Sequence, residues 1–231
     1  MKLINRTHLS TPRLEAMFAG PVQGWPHQRL EVRVRYTRTR DFSGLCNYSK
    51  RRIHINVGRR LRFPYDLRTY LARARSGRRC WWREVYILRL ADEYELALFL
   101  FLHEFYHWLV RRAGRNARQK EAMCDRFAAR VLVDRFGVAV RDRRGRPVPR
   151  ESWDFQDLDR FVAKARVEAA GATTRANAPR STEPPPAPPA LPHGQLLLFR
   201  LRDAAGRDSM RPTDRPAALR HGGGSRVRTY P

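Results

Sequence analysis

His103, Glu104 and His107 stand in the run His-Glu-Phe-Tyr-His. Residues four apart on an α-helix project from one face, one turn apart. The spacing therefore predicts two imidazoles able to hold a single Zn²⁺ ion. Glu104, beside the first of them, is predicted to act as general base on a zinc-bound water. Short motifs of this kind also arise by chance, so the surroundings decide. The flanks at 95–102 and 108–110 are mostly apolar, which predicts a buried helix rather than a solvated charged face. An unpaired His-Glu-His cluster would be costly in such a place, and a bound metal would offset that cost.

Catalytic zinc needs a third protein ligand and an open position for water. Glu121 and Asp125 are again four apart, in the stretch Glu-Ala-Met-Cys-Asp-Arg-Phe-Ala. On a helix, one face presents a carboxylate ligand and, a turn later, a second carboxylate. The second could accept a hydrogen bond from a ligand histidine's other ring nitrogen and fix its tautomer. Glu121 is the expected third ligand, with Asp125 in reserve. The apolar stripe Ala122, Phe127, Ala128, Val131 and Leu132 argues that this helix packs closely and is not an ordinary solvated surface.

The elements that must position these groups follow an order of strands, then helices. Alternation of apolar and polar residues predicts strands at 30–37 and 48–57, with turn chemistry from Asp-Phe-Ser-Gly at 41–44 between them. A short helix is expected at 66–75 and a third strand at 84–90. Asp92, with Glu95 three residues on, is a capping-box start for the motif helix, which should stop near Gly114. Asn116 and Gln119 suggest a second cap, for a helix running to about Phe136 before Gly137. A further helix is expected at about 154–170.

At this point the chain resembles the gluzincin-type minimal zinc metallopeptidases, and specifically the ImmA/IrrE-like and SprT-like small zincins. The resemblance rests on His-Glu-Phe-Tyr-His followed by Glu-Ala-Met-Cys-Asp-Arg-Phe-Ala, read as HExxH and ExxxD, and covers roughly 30–137. It implies an α+β minimal zincin fold, with a small, mostly antiparallel sheet packed on an active-site helix and a ligand-bearing helix. It also implies His103, His107 and Glu121 as metal ligands, Glu104 as catalytic base and Asp125 as an orienting group. SprT-like members usually bring a histidine as third ligand, yet no histidine follows His107 until His193, so the gluzincin branch fits the metal site better. In such folds a protein or peptide substrate would lie extended along a sheet edge, for which 84–90 is the candidate strand. No oxyanion-stabilising residue can be assigned, and Tyr106 reads as core.

Composition bears on setting. The formal net charge is +25, from 47 Lys+Arg against 22 Asp+Glu. Lys2, Lys50, Lys120 and Lys164 are the lysines, so arginine dominates. Codon bias explains arginine over lysine but not the net excess. A basic body of this kind is expected to meet a polyanion, with nucleic acid the obvious candidate. Cys46, Cys80 and Cys124 are odd in number and form no CxxC pair, so neither a disulfide framework nor a thiolate zinc site is indicated. Cys124 reads as a small buried hydrophobe. No signal peptide or membrane-spanning run is seen, and a cytoplasmic, soluble protein is expected.

The folded domain is expected at 1–170, followed over 171–231 by a disordered tail rich in Pro and Arg. Within it Gln195, Leu196, Leu197, Leu198 and Phe199 form an apolar island. It resembles the QLxLF peptide by which bacterial proteins dock on the replication sliding clamp, which implies Gln195, Leu196, Leu198 and Phe199 as docking residues. Packing back on the domain is the plainer alternative. Together these features lead to an expected zinc metallopeptidase, with DNA-associated proteins as candidate substrates. The alternatives are a basic nucleic-acid-binding protein with a structural zinc site, and an ImmA/IrrE-like protease cutting a repressor.

Overall fold

The computed structural model describes residues 1–38, 41–78, 80–117, 120–177 and 228–229. The tail and its Gln195–Phe199 peptide lie outside the described residues. The elements are β1 (Lys2–Arg6), α1 (Thr11–Val22), β2 (Glu31–Thr37), β3 (Ser43–Asn47), β4 (Arg52–Gly58), β5 (Tyr65–Thr69), β6 (Ala74–Ser76), β7 (Trp81–Arg83) and β8 (Tyr86–Leu90). They continue with α2 (Glu93–Arg112), α3 (Glu121–Phe136), β9 (Val140–Arg141), α4 (Leu158–Asn177) and β10 (Arg228–Thr229). The fold is α+β.

The main sheet runs β1-β2-β4-β3-β10. β1 and β4 flank β2 in parallel, while β3 runs antiparallel to β4 and to β10. β5-β8-β9 and β6-β7 make two smaller antiparallel sheets. Most pairings are thus antiparallel, and the parallel pair β1–β2 is joined through α1, the crossover that parallel neighbours require.

Among the strands, three local expectations change. The expected strand at 48–57 begins later, as β4, because residues 48–51 form the turn that returns the chain from β3. Ser43 and Gly44, expected in a turn, instead open β3, where they pair with Asn56 and Ile55. The helix expected at 66–75 is replaced by β5 and β6. Leu67 and Thr69 are buried between exposed Asp66 and Arg68, a period of two that pairing with β8 satisfies.

The motif helix α2 is the centre of the core, buried continuously from Leu96 to Val110. It packs on β3 and β4, on α1, and on α3 and α4; Phe18 of α1 stacks on Phe101 at 4.4 Å. Its start is capped as expected: Asp92 Oδ1 accepts from the Glu95 N–H at 2.9 Å, and Glu95 accepts from the Ala91 N–H at 2.7 Å. It ends at Gly114, whose φ of +72° suits glycine. α3 begins at Glu121, not at Asn116, and Lys120 supplies no side-chain cap. Gly137, at φ +68°, closes α3 as expected. α4 starts at Leu158, where Asp157 accepts from the Arg160 N–H at 2.8 Å. No helix among the described residues is long and apolar enough to cross a membrane.

Candidate metal centre

α2 and α3 pack side by side, and their facing surfaces bring the motif residues together. His103 is on α2, and its Nδ1 lies 2.8 Å from Asp125 Oδ1. A carboxylate only accepts, so the imidazole donates from Nδ1 and presents Nε2 to the site. That Nε2 lies 3.3 Å from Glu121 Oε2, and His107 Nε2 lies 3.3 Å from Glu121 Oε1. The Glu121 carboxylate therefore sits across both imidazoles. Asp125 is fully buried, and its second oxygen accepts from the Tyr70 N–H at 2.7 Å. Both of its oxygens are thus committed to orienting contacts, and Glu121 is the carboxylate that faces both Nε2 atoms. His107 Nδ1, by contrast, is buried with no hydrogen-bond partner among the described residues.

Placement follows from chain geometry. Glu121 is the first residue of α3, so its side chain is free of a preceding turn, and a carboxylate is favoured at a helix N-terminus. One turn later Asp125 faces the inner histidine. The neighbouring Arg126, also buried, donates to the Leu71 carbonyl at 2.8 Å and to Ala72. Asp125 and Arg126 together fasten residues 70–72 to α3. Burial lowers the Arg126 pKa to about 10.

The electrostatics are those of crowded, unlike charges. Burial alone would push His103 down, but its hydrogen bonds to Asp125 and Glu121 outweigh it and hold the imidazole at about 9. Glu121 moves the other way: burial would raise it, and the two histidines instead hold it far below the usual carboxylate range. Glu104 is pushed up, chiefly by burial and against the pull of His103 and His107. Three carboxyl groups thus interact with two imidazoles, and a bound divalent cation would take the place of the proton that now offsets Glu121 and Asp125. The two imidazoles and Glu121 are a donor set that suits such a cation.

Three participants were not expected. Cys124 is fully buried, and its sulfur can lie within 4.8 Å of ligand atoms of His103 and His107. The buried His-His-Cys group could therefore hold a metal ion. Glu121 lies 3.3 Å from both imidazoles and is partly exposed, whereas the histidines are not, so the centre opens to solvent on the Glu121 side. Gly44 of β3 lies under Glu104: a Cβ there would stand 2.5 Å from Glu104 Oε1. Tyr48, just past β3, has its phenol pushed up by burial first and then by neighbouring acidic groups, the carboxylates of Glu104 and Glu121 among them. Cys124 was visible as a residue between Glu121 and Asp125; Gly44 and Tyr48 carried no sequence signal.

The strand expected at 84–90 as a substrate edge is not an edge: it runs Tyr86–Leu90 as β8, between β5 and β9. β3 is the strand beside Glu104, whose carboxylate also takes a backbone hydrogen bond from Cys46. Tyr106 is core, donating to the Leu158 carbonyl at 3.0 Å. No protein-family model, curated protein or solved structure matches the chain.

Proposed function

We propose that this chain is a zinc-dependent metallopeptidase, with His103, His107 and Glu121 holding the metal and Glu104 serving as the general base. The observation that carries the reading is the Glu121 carboxylate at 3.3 Å from both Nε2 atoms, while Asp125 fixes the tautomer of His103 from behind. Bound zinc would supply Lewis acidity, activating a water and polarising the scissile carbonyl. Glu104 is buried beside the pair and its proton affinity is raised by that burial, as suits a group that takes a proton from water and returns it to a leaving amine. β3 lies next to Glu104; β10 pairs with it at Ser43 and Gly44, so an extended peptide would lie along its remaining residues, Leu45–Asn47. Asp125 keeps His103 from turning, and the Tyr70 N–H keeps Asp125 in place.

The test is metal content alongside hydrolysis of an unfolded protein substrate. Wild type should carry about one zinc and cleave; Glu104→Gln should keep the metal and lose cleavage. Full cleavage by Glu104→Gln would refute the assignment.

A second reading has its own observation. If Cys124 joins His103 and His107 and a fourth side chain closes the site, the metal would be structural and the basic chain a nucleic-acid-binding protein. Glu121→Gln would then retain zinc and Cys124→Ser would lose it, the reverse of what the peptidase reading expects.

A further inference from the structure

β6 and β7 form a two-stranded ribbon that joins neither of the other sheets. Its register sets Arg75 opposite Trp82 and Ser76 opposite Trp81. Trp81 is 71% exposed and Trp82 45% exposed, whereas Trp25, Trp108 and Trp153 are buried. A chain that buries its other indoles and leaves two adjacent ones in water has an apolar surface awaiting a partner. Neighbouring strand residues point to opposite faces, so the two rings are offered on both sides of the ribbon.

The surroundings say what that partner is. Trp82 borders a cleft of about 450 Å³ whose other walls include Arg83, Arg143, Arg144 and Arg146. Residues 73–84 and 141–146 hold nine arginines and two acidic residues, Glu84 and Asp142. Those two are already engaged, Glu84 by Arg75 at 3.6 Å and Asp142 by Arg146 at 2.7 Å. Arg143 and Arg144 have no carboxylate partner among the described residues. The Arg75 guanidinium also lies 5.2 Å from the centre of the Trp82 ring. The base of the ribbon is held firmly, since Arg83 reaches the Tyr70 and Ala72 carbonyls in the same segment that Asp125 and Arg126 fasten to α3.

We propose that the β6–β7 ribbon and its adjoining cleft bind single-stranded nucleic acid, with bases stacking on Trp81 and Trp82 and phosphates held by the cleft arginines. An indole face needs an unstacked base, which a single strand offers and a duplex does not. Uncompensated arginines beside the rings supply the backbone attraction. An apolar protein partner would bury those guanidinium groups unpaired. The inference stands apart from the metal site, and its test uses no peptidase assay.

The experiment is fluorescence anisotropy of the full chain with labelled oligothymidylate, oligouridylate and a duplex of equal length. Either single strand should bind at least tenfold more tightly than the duplex. Trp81→Ala combined with Trp82→Ala should weaken single-strand binding about tenfold or more, with the thermal melt unchanged. Arg143→Ser with Arg144→Ser should flatten the salt dependence by roughly one unit in log affinity against log salt. Equal binding by the tryptophan variant, or equal binding of duplex, overturns the proposal. So does a dimer in sedimentation that the tryptophan substitutions dissolve, since the ribbon would then face a second copy.

Discussion

Substituting Gly44 by alanine puts the account of Glu104 under direct strain. The added methyl would stand 2.5 Å from Oε1, 2.6 Å from Cγ and 2.9 Å from Cδ of Glu104. Favourable contacts between such atoms begin at about 3.5 Å, so something has to move by roughly 1 Å. Neither side yields readily. Glu104 is on the buried stretch of α2, and β3 is paired with β4 from Ser43 to Asn47. Overpacking of this kind costs about 1–3 kcal/mol. In a chain of this size, that is a fall of roughly 2–12 °C in Tm. A displacement of about 1 Å in a reacting group costs on the order of 100-fold in rate. Gly44→Ala should therefore lower kcat/KM about 100-fold while zinc content stays near one, because Glu104 is not among the proposed ligands. A double-substitution cycle gives the sharper readout. Placed in a Glu104→Ala background, Gly44→Ala should lose most of its stability penalty, since the atoms it strikes are gone. The assays are thermal melting, metal analysis and peptide hydrolysis on the four proteins. Wild-type activity and melting in Gly44→Ala, or an undiminished penalty in the Glu104→Ala background, would refute the reasoning.

Asp125→Asn should weaken zinc binding by about 10- to 100-fold, the usual cost of losing a carboxylate that orients a ligand histidine; unchanged affinity in a zinc-buffer titration would count against that role. Tyr48→Phe tests whether the phenol near Glu104 and Glu121 steadies charge on the substrate. It should lower kcat with little change in KM, and equal kcat would remove Tyr48 from the site. In the metal-free protein His103 is held at about 9, above its ordinary value near 6.5. The stability this confers is complete below pH 6.5 and is lost as pH rises through 9. Metal-free protein should thus melt lower at about pH 9.5 than at pH 6.5, and the zinc-loaded protein should not share this loss because metal displaces the proton. Parallel melting curves for the two forms would contradict this.

The parts of the fold legible in the sequence are those decided locally. Asp92, Glu95 and Gly114 mark the ends of α2 through their own backbone chemistry, and its apolar run announces burial. The i, i+4 spacings of His103/His107 and Glu121/Asp125 place each pair on one face whatever the rest of the chain does. What escaped depends on partners far away. β1 is a short strand whose place comes from parallel pairing to β2 across α1. The segment 66–75 reads as a helix until β8 is there to pair with it. Asp-Phe-Ser-Gly looks like a turn, yet Gly44 lies in a strand and its smallness answers to Glu104, far along the sequence on another element. Tyr48 likewise comes under the charge of Glu104 and Glu121 only because β3 is laid against α2. The exposure of Trp81 and Trp82 could not be read from composition, since tryptophan is as often a core residue.

The central claim is that zinc sits on His103, His107 and Glu121 with a position open to water. Zinc-edge X-ray absorption on the zinc-loaded chain tests it most directly. The account predicts nitrogen and oxygen neighbours alone, at about 2.0–2.2 Å. A sulfur neighbour at about 2.3 Å that disappears in Cys124→Ser would contradict it and identify a His-His-Cys centre instead.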